Sequence, residues 1–258
     1  MNVRPNLVAL ATIVRREVRR ILRIWTQTLL PSAITMTLYF VIFGNMIGRR
    51  IGEIEPGIGY IDYLVPGLIM MAVITNCYGN ISSSFFGAKF GRFVEEMLVS
   101  PMPSWVILVG YVGGSVLRGL IVAVIVLIIS MFFTHIHLYH PWVTLSTVLL
   151  TAIVFALAGF INAVFAKKFD DIALVPTFVL TPLTYLGGVF YSVNHLPTPW
   201  REISHANPIL YMVNAFRWGL LGISDVGLGV AYAVMIGFAV ALSAIGIYLL
   251  DRGIGLRT

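Results

Sequence analysis

The sequence predicts an all-α, polytopic membrane protein with six transmembrane helices. Three observations predict it. Six apolar runs each approach or exceed the ~20 residues that cross a hydrocarbon core ~30 Å thick. Hydrophobic residues make up 59% of the 258 and charged ones only 11%, against ~45–50% and ~25% in soluble domains. Lysine and arginine gather in alternate loops, as the positive-inside rule requires of a multi-pass chain. The runs leave no room for a soluble domain large enough to hold an enzyme, so residues 1–258 read as one transmembrane domain.

Residues 6–25 come first. At 100° per residue, Val14, Val18, Ile21, Leu22 and Trp25 fall on one stripe, and Arg15, Arg16, Arg19, Arg20 and Arg23 on the other. A basic amphipathic helix of this kind lies flat on a membrane, with Trp25 near the head groups. Two readings stay open for it: a positive-inside anchor, and a helix that also contacts a cytoplasmic partner. The run 27–48 follows. It has no small-x-small cleavage pattern after a short core, so it reads as an uncleaved first span and not a signal peptide.

The other spans are expected at 61–86, 105–134, 141–166, 172–193 and 228–250. The run 105–134 is long for one crossing, which points to tilt or to a start along the interface. The loop 87–103 between the second and third spans is helical by propensity to Leu98, then broken by Pro101 and Pro103. Phe93, Met97 and Leu98 share a face there, with Glu95 and Glu96 beside it. Such a helix suits docking of a soluble partner; the other reading is a solvated connector. The stretch 209–221 is apolar but short for a span. With Asn207-Pro208 before it and Gly222 after it, it reads as re-entrant or interfacial, within an outer segment 195–224. Ala233, Gly237 and Ala241 repeat at four-residue spacing in the last span, which predicts close helix packing.

Charge sets the orientation. Twelve of the 17 basic residues fall at one set of ends and four at the other, which places both termini in the cytoplasm. The formal net charge is +6. Because these charges sit at membrane ends, the anionic partner is phospholipid head groups and not nucleic acid. The one cysteine, Cys77, excludes an intramolecular disulfide and reads as packing.

Several chemistries are missing from the sequence. The three lysines, Lys89, Lys167 and Lys168, follow Ala88, Ala166 and Lys167. No Gly-Lys pair exists, so no phosphate loop is present. There is no His-Glu-x-x-His helix and no Gly-x-Ser-x-Gly elbow, so no catalytic, cofactor or metal residue is assigned. All eleven acids are expected in or near loops. That leaves no intramembrane proton relay, and any transport needs external energy. His135, His137 and His140 cluster at the outer end of a hairpin, but their spacing matches no metal motif, and Pro141 and Trp142 point to an interfacial turn. Arg118 is the one charge inside a span, about 20 Å from Ser104 at ~1.5 Å per residue. It must snorkel, pair or line a wet cavity. A substrate or gating role and structural pairing both remain open.

The run Arg92…Glu95-Glu96-Met97-Leu98-Val99-Ser100-Pro101 resembles the coupling-helix region of bacterial type-2 ABC transporter permeases, with Phe93 and Val94 in place of that family's Gly-Thr-Leu lead-in. Leu174-Val175-Pro176-Thr177-Phe178 through Pro182-Leu183-Thr184-Tyr185-Leu186-Gly187-Gly188-Val189-Phe190-Tyr191 resembles its C-terminal signature. Leu196-Pro197, Asn207-Pro208, Tyr211 and Ala215-Phe216-Arg217 continue the likeness, which covers essentially the whole chain.

The resemblance implies a homodimer in a bacterial inner membrane, acting with two copies of an ATP-binding cassette ATPase. ATP and Mg would sit on that partner, and this chain would bind no cofactor. Arg92, Phe93, Glu95, Glu96, Leu98, Arg16 and Arg20 would contact the ATPase. The complex would export an amphipathic, lipid, glycan or drug-like substrate by alternating access. Phe43, Asn76, Tyr78, Asn80, Arg118, Phe178, Thr181, Thr184 and Tyr185 are candidates for the substrate path, because polar and aromatic groups interrupt aliphatic spans there; helix packing is the other reading of each. The alternative function is an ATP-independent secondary transporter or channel. That would call for intramembrane acids or inverted repeats.

Overall fold

A computed structural model describes residues 3–55, 57–134 and 138–256. His135, His137 and Arg257 lie outside the described residues. Six helices are long and apolar enough to cross a membrane: Trp25–Gly44, Tyr60–Phe90, Ser104–Ser130, Pro141–Phe165, Phe169–Leu186 and Leu228–Arg252. They correspond one to one with the six runs in the sequence. An N-terminal helix, Val3–Arg23, precedes them. A loop helix, Phe93–Val99, joins the second and third spans. A two-strand antiparallel hairpin, Glu53–Glu55 with Ile58–Gly59, follows the first span and is the one sheet among the described residues.

Boundaries move where the backbone chemistry changes. The fifth span ends at Leu186 and not near residue 193, because Gly187 and Gly188 follow and Gly188 takes a φ of 70°. A left-handed glycine ends a helix at little cost. The first and fifth spans also contain wide π turns, Phe40–Ile47 and Pro176–Leu180. In the fifth, the Thr181 hydroxyl donates to the Pro176 carbonyl at 2.9 Å, so the widened turn stays satisfied. The third span is a single helix from Ser104, directly after Pro103, to Ser130.

The second span is the axis of the bundle. The third span meets it with Gly119 directly over Cys77, where a Cβ would overlap the thiol. The fourth meets it at Gly159, where a Cβ would lie 2.6 Å from the Tyr78 carbonyl oxygen and 2.7 Å from Ile81. The Ser82 hydroxyl donates to the Gly159 carbonyl at 3.0 Å. Small residues let these backbones close up, and dispersion does the rest in a lipid solvent.

At the outer end, two helices precede the last span: Thr198–His205 and Pro208–Leu221. The second is capped by Asn207, whose side chain accepts from Ile209 N and donates to the Leu183 carbonyl. It is largely buried against the fourth and sixth spans. Arg217 on it is buried, donates to the Gly188 carbonyl at 2.7 Å and stacks over the Tyr63 ring at 3.9 Å. Asp225 then gathers the Ser192 hydroxyl, the Val193 amide and the Asn194 side chain.

One expectation needs correction. The small-residue stripe Ala233, Gly237 and Ala241 faces away from the subunit, and a Cβ on Gly237 would meet nothing within 4 Å. Gly246, against Leu108 and Phe160, makes the close contact of that span. The N-terminal helix buries Ile13, Glu17 and Ile21 against the spans, while Leu22 and Trp25 of its apolar stripe are exposed.

Candidate functional site

The site is built where the N-terminal helix crosses the second and third spans. Gly110 and Gly114 on the third span make room for it. A Cβ on Gly110 would sit 2.6 Å from Ile13, and one on Gly114 2.5 Å from the Glu17 Cβ. Glu17 is thereby driven inward and is only 1% exposed. A buried carboxylate needs partners. The Ser84 hydroxyl donates to it at 2.7 Å, Arg20 Nε at 3.3 Å and Arg16 Nη2 at 3.4 Å. Arg16 also donates to the Tyr111 hydroxyl. Burial pulls the Arg16 pKa down, but Tyr111 and Glu17 outweigh it and hold the guanidinium above its usual value.

From Arg20 the network runs deeper. Arg20 Nη2 donates to Asn80 Oδ1 at 2.7 Å and to the Asn80 carbonyl at 3.1 Å. Asn80 Nδ2 donates to Ser115 Oγ on the third span at 2.8 Å. Arg118 Nη1 shares Asn80 Oδ1 at 3.2 Å; its Nη2 donates to Asn76 Oδ1 at 2.9 Å and to the Thr28 carbonyl at 3.2 Å. Asn76 Nδ2 donates to Ser32 Oγ on the first span at 3.0 Å. The result is a continuous polar spine, Glu17–Arg20–Asn80–Arg118–Asn76–Ser32, tying the N-terminal helix to the first three spans. A charged side chain at membrane depth costs ~2.5–3.5 kcal/mol on insertion scales; three protein acceptor contacts and a link through Asn80 and Arg20 to a carboxylate offset it here.

The loop helix lies at the same end. Arg92, just before it, has a φ of 61°, the one non-glycine residue in the left-handed region among those described. The turn points Val94 inward, where it is fully buried, and leaves Phe93 and Val99 outward at 55% and 88% exposed. Glu96 is exposed, and Glu95 and Leu98 are half-buried, Leu98 packed on the core. Lys89, a turn earlier, donates to the Val164 and Ala166 carbonyls at 2.6 and 2.8 Å, closing the end of the fourth span. The Phe86, Phe90 and Phe169 rings cluster beside it, 4.9 to 6.2 Å apart.

At the opposite end, the first and fifth spans meet through aromatics. The Tyr39 and Tyr185 hydroxyls are 3.4 Å apart, and Phe190 packs on Phe43 at 5.2 Å and Tyr185 at 5.6 Å. Phe178 and Thr181 point outward from the fifth span.

The residues singled out by sequence thus separate into groups. Asn76, Asn80 and Arg118 meet in the spine, together with Arg16 and Arg20. Arg92, Phe93, Glu95, Glu96 and Leu98 form the loop helix and its entry. Phe43 and Tyr185 join the aromatic contact. Tyr78 is buried in the core, and Thr184 is buried with its hydroxyl bonded to the Leu180 carbonyl at 2.7 Å. His140 stacks on Trp218 at 4.4 Å, and no cluster of three metal-ligating side chains occurs among the described residues. Glu17 escaped the sequence reading, which put every acid near a loop. Its signal was present: Ile13, Glu17 and Ile21 at four-residue spacing, matched by Gly110 and Gly114 at the same spacing.

The profile of the ABC-2 type transporter family matches residues 8–221. The chain is 58% identical over 252 residues to the inner membrane transport permease YadH of Escherichia coli (strain K12), covering 97% of this chain and 98% of that one. It is 23% identical over 186 residues to nodulation protein J of Rhizobium leguminosarum bv. viciae, covering 72% and 71%. It is 23% identical over 217 residues to nodulation protein J of Sinorhizobium fredii, covering 84% and 82%.

Proposed function

Because this chain belongs to the ABC-2 type transporter family, we propose that it is the membrane subunit of an ATP-driven exporter, working as a homodimer with two copies of a separate ATPase. It is a multi-pass inner-membrane transport permease and not itself a catalytic enzyme. The observation that carries the finer reading is the loop helix: Val94 anchors it in the core while Phe93 and Val99 stand exposed on a polar loop. Apolar side chains held out on a rigid element favour a docking surface. Both termini are assigned to the cytoplasm, and the ATPase would meet the loop helix and the basic N-terminal helix.

The covalent connections give the mechanism. The second span leads through Gly91 and Arg92 into the loop helix, and Ser100 to Pro103 lead directly into the third span. A push on the loop helix therefore acts on both spans together. They are locked to each other by Gly119 over Cys77 and by Asn80 bonded to Ser115. The locked pair would move as one body against the fifth span, which is far less buried. Such rigid-body motion between two states is alternating access.

The exposed face of the fifth span, with Phe178, Thr181 and Tyr185, would meet the second copy and line a path for an amphipathic, lipid, glycan or drug-like substrate. The helices Thr198–His205 and Pro208–Leu221 would form the outer re-entrant segment. The test is co-purification. The chain alone should show no ATPase activity, and the complex with its ATPase should show it. Val99→Asp should break or uncouple that complex while the chain stays folded. Failure of any ATPase to associate in lipid sinks the energised-exporter reading.

A further inference from the structure

A cleft between the N-terminal helix and the basic end of the second span encloses about 870 Å3. Arg15, Arg16, Arg19, Arg20 and Arg23 line it, against one carboxylate, Glu17. That carboxylate is already shared among Ser84, Arg20 and Arg16. Arg15, Arg19 and Arg23 are exposed and form no salt bridge among the described residues. The cleft therefore carries four more positive charges than negative ones. Cations held this close repel each other, and a bound anion removes that repulsion.

The opposite wall is set back by small residues. A Cβ on Gly87 would meet nothing within 4 Å, and Ser83 turns its hydroxyl back to the Gly79 and Asn80 carbonyls. Phe93 closes the far side with a half-exposed ring. Guanidinium forks pair with phosphate oxygens two at a time, and a phosphate adds a third oxygen and more charge than the one carboxylate present supplies.

We propose that this cleft binds a phosphate group. Its wall is the last turns of a membrane span, with Ala88 and Phe93 beside the arginines, which suits a phosphate at the head of a lipid whose chains continue into the bilayer. Free phosphate would offer the arginines the same oxygens. Arg20 would then answer to two demands, the anion in the cleft and Asn80 in the spine. The proposal stands without the transport reading, since binding needs no ATPase.

The test uses the full-length chain in an uncharged detergent at about physiological salt, where long-range attraction is screened. Three probes are titrated by calorimetry: dihexanoyl phosphatidic acid, inorganic phosphate, and dihexanoylglycerol, which lacks the phosphate. The expected result is saturable binding of phosphatidic acid, one per chain, and none of dihexanoylglycerol. Equal affinity for inorganic phosphate would assign the site to free phosphate; binding of the lipid alone would assign it to the membrane. Arg19→Gln combined with Arg23→Gln should weaken binding by about tenfold. Ser83→Asp, which removes no arginine, should weaken it as well, and a melting temperature equal to wild type shows that each variant is folded. Unsaturable binding, equal binding of dihexanoylglycerol, or unchanged affinity in folded variants overturns the proposal.

Discussion

The second and fifth spans have similar mean hydropathy over their best windows, 1.5 and 1.2, yet 83% of one window and 11% of the other is buried within the subunit. The difference lies in what interrupts the aliphatic residues. The second span carries Asn76, Asn80, Ser82 and Ser84, each bonded to a different neighbour. Glycines of the third and fourth spans close on it. The fifth span carries Pro176 and Pro182, a π turn, and polar groups bonded only within their own helix, such as Thr181 and Thr184. Hydropathy locates a span; polar and small residues decide whether it becomes a hub or a face.

Substitutions at three positions would break or sharpen that contrast. Gly159→Val should do the most damage, since its side chain would run into the second-span backbone at Tyr78. Overpacking against backbone costs ~3 kcal/mol or more, so little monodisperse protein should survive size-exclusion chromatography. Glu17→Ala comes next. It strips Ser84 and Arg20 of a buried acceptor, a loss of ~1–3 kcal/mol. The lower end applies, because Arg16 and Arg20 are 47% and 22% exposed and water can take them over. Glu17→Gln keeps an acceptor for Ser84 and should recover most of the melting temperature. If Glu17→Ala melts like wild type, the spine is not anchored at the N-terminal helix. Phe178→Ala should be the mildest for stability, within ~0.5 kcal/mol, yet it should alter the substrate-stimulated ATPase rate of the complex. A large drop in melting temperature instead would make the fifth span a structural element like the second.

The spans were legible because a lipid solvent writes its demand as runs of about 20 apolar residues. The loop helix was legible because Pro101 and Pro103 must end it. The orientation of the N-terminal helix was not. The apolar stripe with Leu22 and Trp25 marked the face turned to the membrane, but not the face packed on the spans, which contains Glu17. The partners of Arg118 were hidden for a related reason. Asn76, Asn80 and Arg118 were each conspicuous, but only the glycine-mediated approach of the second and third spans brings them within bonding distance. The π turns in the first and fifth spans carry no signal in hydrophobic period alone.

Lys89 has a consequence for how the chain is assembled. As the second span enters the membrane, this ammonium belongs to the set of charges that hold loops on the cytoplasmic side. The carbonyls it caps, at Val164 and Ala166, lie 75 and 77 residues further along and are made later. One charge therefore serves twice in time, first as a topology marker against the head groups and then as the cap on the negative end of the fourth span. Tallying such a lysine as a free surface charge in the finished protein counts its first task and overlooks its second.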